Sequence, residues 1–388
     1  MKSIELFAGA GGLAMGMARA GFHHSAVVEW DADACQTIRE NLAHYADRGQ
    51  EMLLFQGDAR QFNYSLHSDD VDVISGGPPC QPFSMGGKHQ GDLDARDMFP
   101  VAVDSVRRVM PKAFIFENVK GLLRQSFSSY FEYILLQLTY PQLSKRAKET
   151  WIDHLGRLEC AHTQGKQKPV YKVVFRLLNA ANYGVPQKRE RVVIVGFRAD
   201  LGVNWAFPDA THSEDELLVS KWVTGEYWER HEVSKRRRPT TPEKVHRKLA
   251  RLATGDLHQT YRPWRTVRDA ISDLPDPERR GKSEKSNHIL NPGARAYEGH
   301  TGSPLDEPAK TLKAGVHGVP GGENMLARPD GTVRYFTVRE AARIQTFPDS
   351  YVFHGSWSET MRQLGNAVPV DLAEAVSSSV HRALSLQT

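Results

Sequence analysis

Short, almost wholly apolar runs separated by helical stretches fill the first two hundred residues, and this alternation constrains the chain more than any other feature. SIELF (3–7), SAVVE (25–29), VDVIS (71–75), AFIF (113–116) and RVVIVGF (191–197) have the composition of strands covered on both faces. Between them lie LAMGMARA, DACQTIRENL and PVAVDSVRRVM, and in the last Ala102, Val103, Val106, Val109 and Met110 recur at helical spacing. Strands alternating with helices predict an α/β fold with a doubly wound parallel sheet. At 388 residues the chain exceeds the roughly 100–200 residues of one ordinary domain, so a second, smaller domain is expected.

Composition narrows the class. With 40% hydrophobic and 25% charged residues the chain is neither disordered nor fibrous. No stretch reaches the roughly eighteen consecutive apolar residues of a membrane span. LFAGAGGLAMGMA (6–18) comes nearest to a targeting segment, but Glu5 abuts it and glycines interrupt it, so a cytoplasmic protein is expected. Cys35, Cys80 and Cys160 are far apart, with no CxxC pair and no paired histidines, so neither a disulfide nor a metal site is expected. The net charge of +4 is uneven: residues 231–300 carry sixteen Lys and Arg against nine Asp and Glu. A basic segment on a near-neutral body suits a polyanionic partner, although a solvated basic face has the same composition.

The remaining segments read less regularly. Residues 138–168 are polar and aperiodic, which predicts an insertion or long loop. After Trp205 aromatic and basic residues mix, and Lys235-Arg236-Arg237-Arg238 makes a sharp basic run that would also serve as a solvated hinge. Residues 314–331, rich in glycine with two prolines, predict an irregular loop. Thr337 and Glu340 match a capping box for a short helix stopped by Pro348. Pro369 suits the first position of a final helix whose stripe of Leu372, Ala373, Val376, Val380 and Leu384 is expected to cover the sheet.

Chemistry gathers where the predicted strands end. Gly9 and Gly11 follow the first strand, where a glycine backbone can approach a ligand that a Cβ would strike. Glu29, twenty residues past Gly9, can accept two ribose hydroxyls, and Phe7 and Trp30 can flank an adenine or simply pack. Any nucleoside cofactor fits this much. Gly76-Gly77-Pro78-Pro79-Cys80 stiffens the approach to a thiol beyond a strand's carboxyl end, the edge where open α/β sheets keep their ligands. Phe116-Glu117-Asn118-Val119 presents a carboxyl group after another strand, and Arg189 and Arg191 in QKRER lie on the same side of an extended chain.

ELFAGAGGLAMG, GGPPCQPFS, FENVKG, QKRERVVIVG, RYFTVREAARIQTFPD (334–349) and GNAVPV (365–370) together resemble the ordered motifs of DNA cytosine-5 methyltransferases of the bacterial restriction-modification type. The resemblance implies a Rossmann-like S-adenosylmethionine-dependent fold, with a catalytic and cofactor domain at 1–204, a target-recognition domain at 205–333 and a returning segment at 334–388. It implies Cys80 as a nucleophile toward cytosine carbon-6, Glu117 as hydrogen-bond partner or proton donor to ring nitrogen-3, and Arg191 on the carbon-2 oxygen, with Arg189 supporting thiol and base. Phe7, Gly9, Gly11, Leu13, Glu29, Trp30, Asp58, Pro79 and Asn366 would hold S-adenosylmethionine, Asp58 by taking the adenine amino group or, as an ordinary aspartate before a helix, by capping it. Residues 84–98 would close over DNA; Gln81, Ser84, Thr311 and Leu312 would contact it. The partner implied is double-stranded DNA, and the protein is expected to act as a monomer beside a separate cognate endonuclease.

An ordinary cysteine is about 3% thiolate at neutral pH, so full ionisation gains roughly 30-fold, near 2 kcal/mol, whereas enzymes supply more than about 8 kcal/mol. Glu117, the arginines and positioning must therefore do most of the work on a single base, which has to be flipped from the duplex at a cost of a few kcal/mol. A tRNA cytosine-5 methyltransferase shares this chemistry. A nicotinamide oxidoreductase would explain the glycine turn and Glu29 but leaves GGPPCQ, FENV and QKRER without a role, and an inactive DNA-binding regulator would have no use for the full set of chemical residues.

Overall fold

The computed structural model describes residues 1–45, 51–67, 70–79, 97–165, 167–254, 261–279, 285–298, 300–315 and 324–387. The chain divides into two compact units, one of residues 1–178, 190–208 and 350–388, the other of residues 179–189 and 209–349.

The first unit is built on β1 (Lys2–Leu6), β2 (His23–Glu29), β3 (Leu53–Gln56), β4 (Val73–Gly76), β5 (Ala113–Val119), β6 (Tyr171–Asn179) and β7 (Glu190–Arg198), in spatial order β3-β2-β1-β4-β5-β7-β6. β3, β2, β1, β4 and β5 are mutually parallel. β7 runs antiparallel to β5, so the sheet is mixed rather than purely parallel as the sequence predicted. The strand order reverses between β1 and β4, the switch point at which such sheets open a crevice along their carboxyl edge.

Helices α1 (Gly12–Arg19), α2 (Ala32–Glu40), α3 (Phe99–Val109), α4 (Ser128–Thr139) and α5 (Trp151–Gln164) belong to the same unit. α3 buries Ala102, Val103, Val106 and Val109 in the core that also holds Ile4, Leu6, Ile74, Phe114 and Phe116. α5 corrects the expectation of an irregular 138–168 stretch: Thr150 and Asp153 form a capping box at its start, and His154, Leu155 and Leu158 are buried. Its buried stripe is narrow and interleaved with charge, which hid the helical period.

The second unit carries β8 (His212–Ser213), α6 (Glu214–Trp222), α7 (Glu226–Arg230), α8 (His246–Thr254), β9 (Arg262–Pro263), α9 (Val267–Ile271), β10 (Ser303–Pro304), β11 (Met325–Ala327), β12 (Val333–Tyr335) and α10 (Val338–Ile344). β10, β11 and β12 form a small sheet, so part of the expected irregular 314–331 loop is strand; residues 316–323 lie outside the described residues. The capping box predicted for α10 is present, Thr337 accepting from Glu340 N and Glu340 from Thr337 N. Lys235, Arg236 and Arg237 are exposed.

The chain ends in the first unit with α11 (Trp357–Asn366) and α12 (Val370–Ser385). The stripe from Leu372 to Leu384 is buried as expected, each large side chain contributing about 1.5–3 kcal/mol. It packs against α1. An added Cβ at Gly16 would lie 2.4 Å from Ala373 Cβ, so the two helices cross at a contact that excludes even a methyl group. Pro369 is the N-cap of α12, one residue before the predicted first helical position.

Candidate active site

The turn after β1 lies at the switch point of the sheet. Gly9 has φ +54°, and a Cβ built there meets nothing within 4 Å, so the space over this residue is open for a ligand. Gly11 is different: at φ +74° its Cβ would lie 2.1 Å from the Tyr45 hydroxyl. Packing against Tyr45 therefore requires the second glycine whatever approaches its backbone. Phe7, at φ +57°, is held in the left-handed region that side chains avoid, at the point where β1 gives way to the turn. Leu13 is buried in the first turn of α1.

This turn rests on buried polar groups. α1 has no side-chain cap of its own; instead Glu5 Oε1, one strand residue before Leu6, accepts from Ala14 N at 3.0 Å while Ser75 Oγ donates to Glu5 Oε2 at 2.9 Å. Burial pushes the Glu5 carboxyl up to about 8. His24 bridges Ala14 O (2.8 Å) and Ser3 Oγ (3.0 Å), and burial holds it down to about 4, so it is a neutral ring. The Tyr45 and Tyr351 hydroxyls bond each other, and Tyr351 also donates to Ala10 O at 2.7 Å. None of these residues stood out in the sequence as chemical. The one available signal was a glutamate inside an apolar strand.

At the end of β2, Glu29 Oε2 accepts from Gly9 N (2.7 Å) and Oε1 from Trp30 N (2.9 Å) and Asp31 N (2.8 Å). A carboxylate has about four acceptor directions. With three of them taken by backbone N–H groups, one remains open. Burial raises the Glu29 pKa, opposed by those same backbone donors. Trp30 is 80% exposed, an aromatic face left out of the core. Asp31 caps α2 and pairs with Arg362 at 2.7 Å, which fixes α11 against this strand end. Asn366, four residues beyond Arg362 and on the same helix face, is exposed there. Asp58 makes the capping contact, one of the two roles expected of it: it accepts from Arg60 N at the start of a 3-10 turn, and the Arg60 guanidinium lies against it at 2.7 Å and lowers its pKa.

Across the switch point, Gly76 ends β4 with its Cα against Leu6, where a Cβ would lie 2.4 Å from Leu6 O. Pro78 O accepts from Asn118 Nδ2 at 2.9 Å and Pro79 O from Met98 N at 3.0 Å. Cys80, Gln81 and Ser84, with the rest of 80–96, lie outside the described residues. Glu117 and Arg191, both nearly buried, pair at 2.6 Å between Oε1 and Nε, and a Cβ on Gly77 would sit 3.3 Å from Glu117 Oε2. Burial lowers the Arg191 pKa, and Glu117 works against that shift. Of the other cysteines, Cys35 donates to Glu29 O and burial pushes its thiol up to about 12, an inert group.

Arg189 and Arg191 go to different places. Arg189 is fully buried in the second unit and donates from Nη1 to Leu312 O at 3.0 Å. Thr311 Oγ1 donates to Lys188 O (2.8 Å), and Leu312 N to Gln187 Oε1 (3.0 Å). The Thr-Leu pair is thus knitted to the QKR stretch, and Leu312, 1% exposed, packs inside the unit instead of offering its side chain to a surface.

A glycine turn open to ligand at the switch point, a buried acid at the end of β2 and an exposed aromatic beside it define an α/β enzyme of the nucleoside-cofactor class, and these groups fit S-adenosylmethionine. Residues 1–140 and 163–382 match the C-5 cytosine-specific DNA methylases, and the chain belongs to that family. It is a DNA (cytosine-5) methyltransferase with S-adenosylmethionine as methyl donor. It is 30% identical to the Type II methyltransferase M.AplI of Arthrospira platensis over 98% of this chain and 86% of that one, and 30% identical to M.NgoMIV of Neisseria gonorrhoeae over 98% and 97%. The Dnmt2 methyltransferase of S. pombe shares the fold, with a TM-score of 0.57 at 16% identity over 100% of this chain and 99% of that one. Among the described residues, no helix is long and apolar enough to cross a membrane.

Proposed function

We propose that this enzyme methylates cytosine within a short duplex sequence, as the modification partner of a separately acting restriction endonuclease, and that it works as a monomer through a transient bond between Cys80 and the base. The observation that carries the chemical reading is the Glu117–Arg191 pair at the carboxyl edge of the sheet: a carboxyl group and a guanidinium held side by side match nitrogen-3 and the carbon-2 oxygen along one edge of cytosine. The Cys80 thiolate adds to carbon-6, and the electrons of the 5,6 double bond move into the ring, where Glu117 at nitrogen-3 and Arg191 at the oxygen receive the charge. Bound S-adenosylmethionine supplies an electrophilic methyl group for carbon-5. Loss of the carbon-5 proton to a base restores the double bond as the sulfur–carbon bond breaks and the thiolate leaves.

Phe7, Gly9, Glu29, Trp30, Asp58, Pro79 and Asn366 would hold the methyl donor, with Glu29 on one ribose hydroxyl and Trp30 on the adenine face. Leu13 and Gly11 would shape the turn from behind. Arg189, Thr311 and Leu312 would serve by fixing one another within the second unit, which would read the DNA sequence and contact phosphates through its basic surface. Gln81 and Ser84 would contact the flipped base's surroundings.

Duplex DNA carrying 5-fluorocytosine at the target tests the reading, because fluorine cannot leave as a proton does and the adduct should be trapped at Cys80. Bisulfite sequencing of plasmid from expressing cells supplies the target beforehand. An untrapped thiol, or methyl transfer to tRNA in preference to duplex DNA, would overturn it.

A further inference from the structure

The match to the family omits residues 141–162, and most of α5 lies in that omitted stretch. α5 does not merely fill space beside the sheet. Trp151, in its first turn, sets its ring edge-on to Tyr130 (centroids 5.9 Å, 79°) and tilted against Tyr133 (5.8 Å). His154, fully buried, pairs with the Tyr133 hydroxyl at 2.8 Å and with Leu143 O at 2.6 Å, so the loop before α5 and the face of α4 are locked together. Tyr130, 7% exposed, is held in one orientation by this packing and donates its hydroxyl to Asp97 Oδ2.

Asp97 leads straight to the catalytic edge. Its other oxygen accepts from Phe99 N at 3.1 Å and starts α3, and the intervening Met98 N donates to Pro79 O at 3.0 Å. Pro79 is the residue before Cys80, and Pro78 is independently fixed by Asn118. A continuous set of contacts therefore runs from α5 through Trp151, Tyr130 and Asp97 to the backbone next to the nucleophile.

We propose that Tyr130, clamped by α5, is a positioning residue for the Cys80 thiol. The proposal rests on the reading of Cys80 as nucleophile. Tyr130 touches no substrate; it acts by fixing Asp97, and so the peptide that holds Pro79. Sub-ångström placement of an attacking atom is where a remote contact gains leverage, since a misplacement of about 1 Å costs on the order of a hundredfold in rate.

Tyr130→Phe removes one hydroxyl and leaves the ring packing. In the full-length protein, single-turnover methyl transfer at saturating DNA and S-adenosylmethionine should fall on the order of tenfold or more, while the Kd for S-adenosylmethionine stays within about twofold and the melting temperature changes little. Asp97→Ala should slow transfer at least as much, and the double variant should be no slower than Asp97→Ala alone, because that change already removes the bond Tyr130→Phe breaks. Unchanged transfer in Tyr130→Phe, or rate losses that multiply in the double variant, would overturn the proposal. A lowered melting temperature with an unchanged rate would do so too, by reducing Tyr130 to a packing residue. Cys80→Ala run alongside separates the two readings: if it still methylates, the nucleophile assignment fails; if it is dead while Tyr130→Phe is fully active, the positioning role alone fails.

Discussion

Glu117 and Arg191 form their ion pair without standing opposite each other: across the antiparallel ladder of β5 and β7 Glu117 faces Val193 and Arg191 faces Val119, so the pair is the diagonal one on a single face of the sheet. The diagonal places both groups at the edge where β4 gives way to Gly77-Pro78-Pro79. Because each is about 10% exposed, each is the other's main compensation for leaving water.

Arg191→Ala therefore removes the guanidinium partner of a buried carboxylate. It should lower stability by about 3 kcal/mol and abolish most methyl transfer, while Glu117→Gln combined with Arg191→Met should recover much of the stability and none of the activity. Urea denaturation and a methyl-transfer assay on the three variants check this.

Glu5 gives the fold a pH dependence. Its folded pKa, about 8, lies above the ordinary 4.5, so the folded state holds the proton more tightly. That contribution is complete below about pH 4.5, declines as pH rises and is lost above about 8. Glu5→Gln keeps an acceptor for Ala14 N and a partner for Ser75, so the melting temperature of the variant should gain on the wild type steadily between those limits. A difference that is constant with pH would contradict the assignment.

The two glycines of the turn should separate cleanly. Gly9→Ala meets open space and carries only the left-handed strain of about 1–2 kcal/mol, so its main effect should be weaker S-adenosylmethionine binding. Gly11→Ala drives a methyl group into Tyr45 and should destabilise the fold more than Gly9→Ala does, with cofactor absent. Calorimetry with and without S-adenosylhomocysteine distinguishes the two.

Binding to DNA should depend steeply on salt. If about six phosphates are neutralised, log affinity falls against log salt with a slope near −5. Replacing exposed Arg236 and Arg237 by Ala should make the slope shallower by roughly one for each phosphate they neutralise, and an unchanged slope would mark the run as a solvated hinge.

What was legible in the sequence follows from what burial writes into it. β1, β2, β4, β5 and β7 are covered on both faces and read as apolar runs. β3 and β6 occupy the two edges of the sheet, with exposed residues along much of their length, and were missed. α5 was missed because three buried positions in fourteen residues leave no periodic signal. Glu29, Trp30, Glu117 and Arg191 stand out in the sequence because each sits in a motif at a strand end, whereas Tyr45, Tyr351 and Tyr130 do not, since each bonds a residue far away in the chain.

By itself the sequence marked the candidate residues for the chemistry, their order, and the alternation of strands and helices that presents them. Strand direction was decided only in three dimensions. An apolar run reads the same in either direction, yet Arg191, at the start of β7, meets Glu117, near the end of β5, because those strands are antiparallel. Had β7 run parallel like its predecessors, its first residues would lie at the opposite edge of the sheet. Local composition records how deeply a residue is buried, whereas the partner it meets there depends on chain reversal and packing between elements distant in sequence.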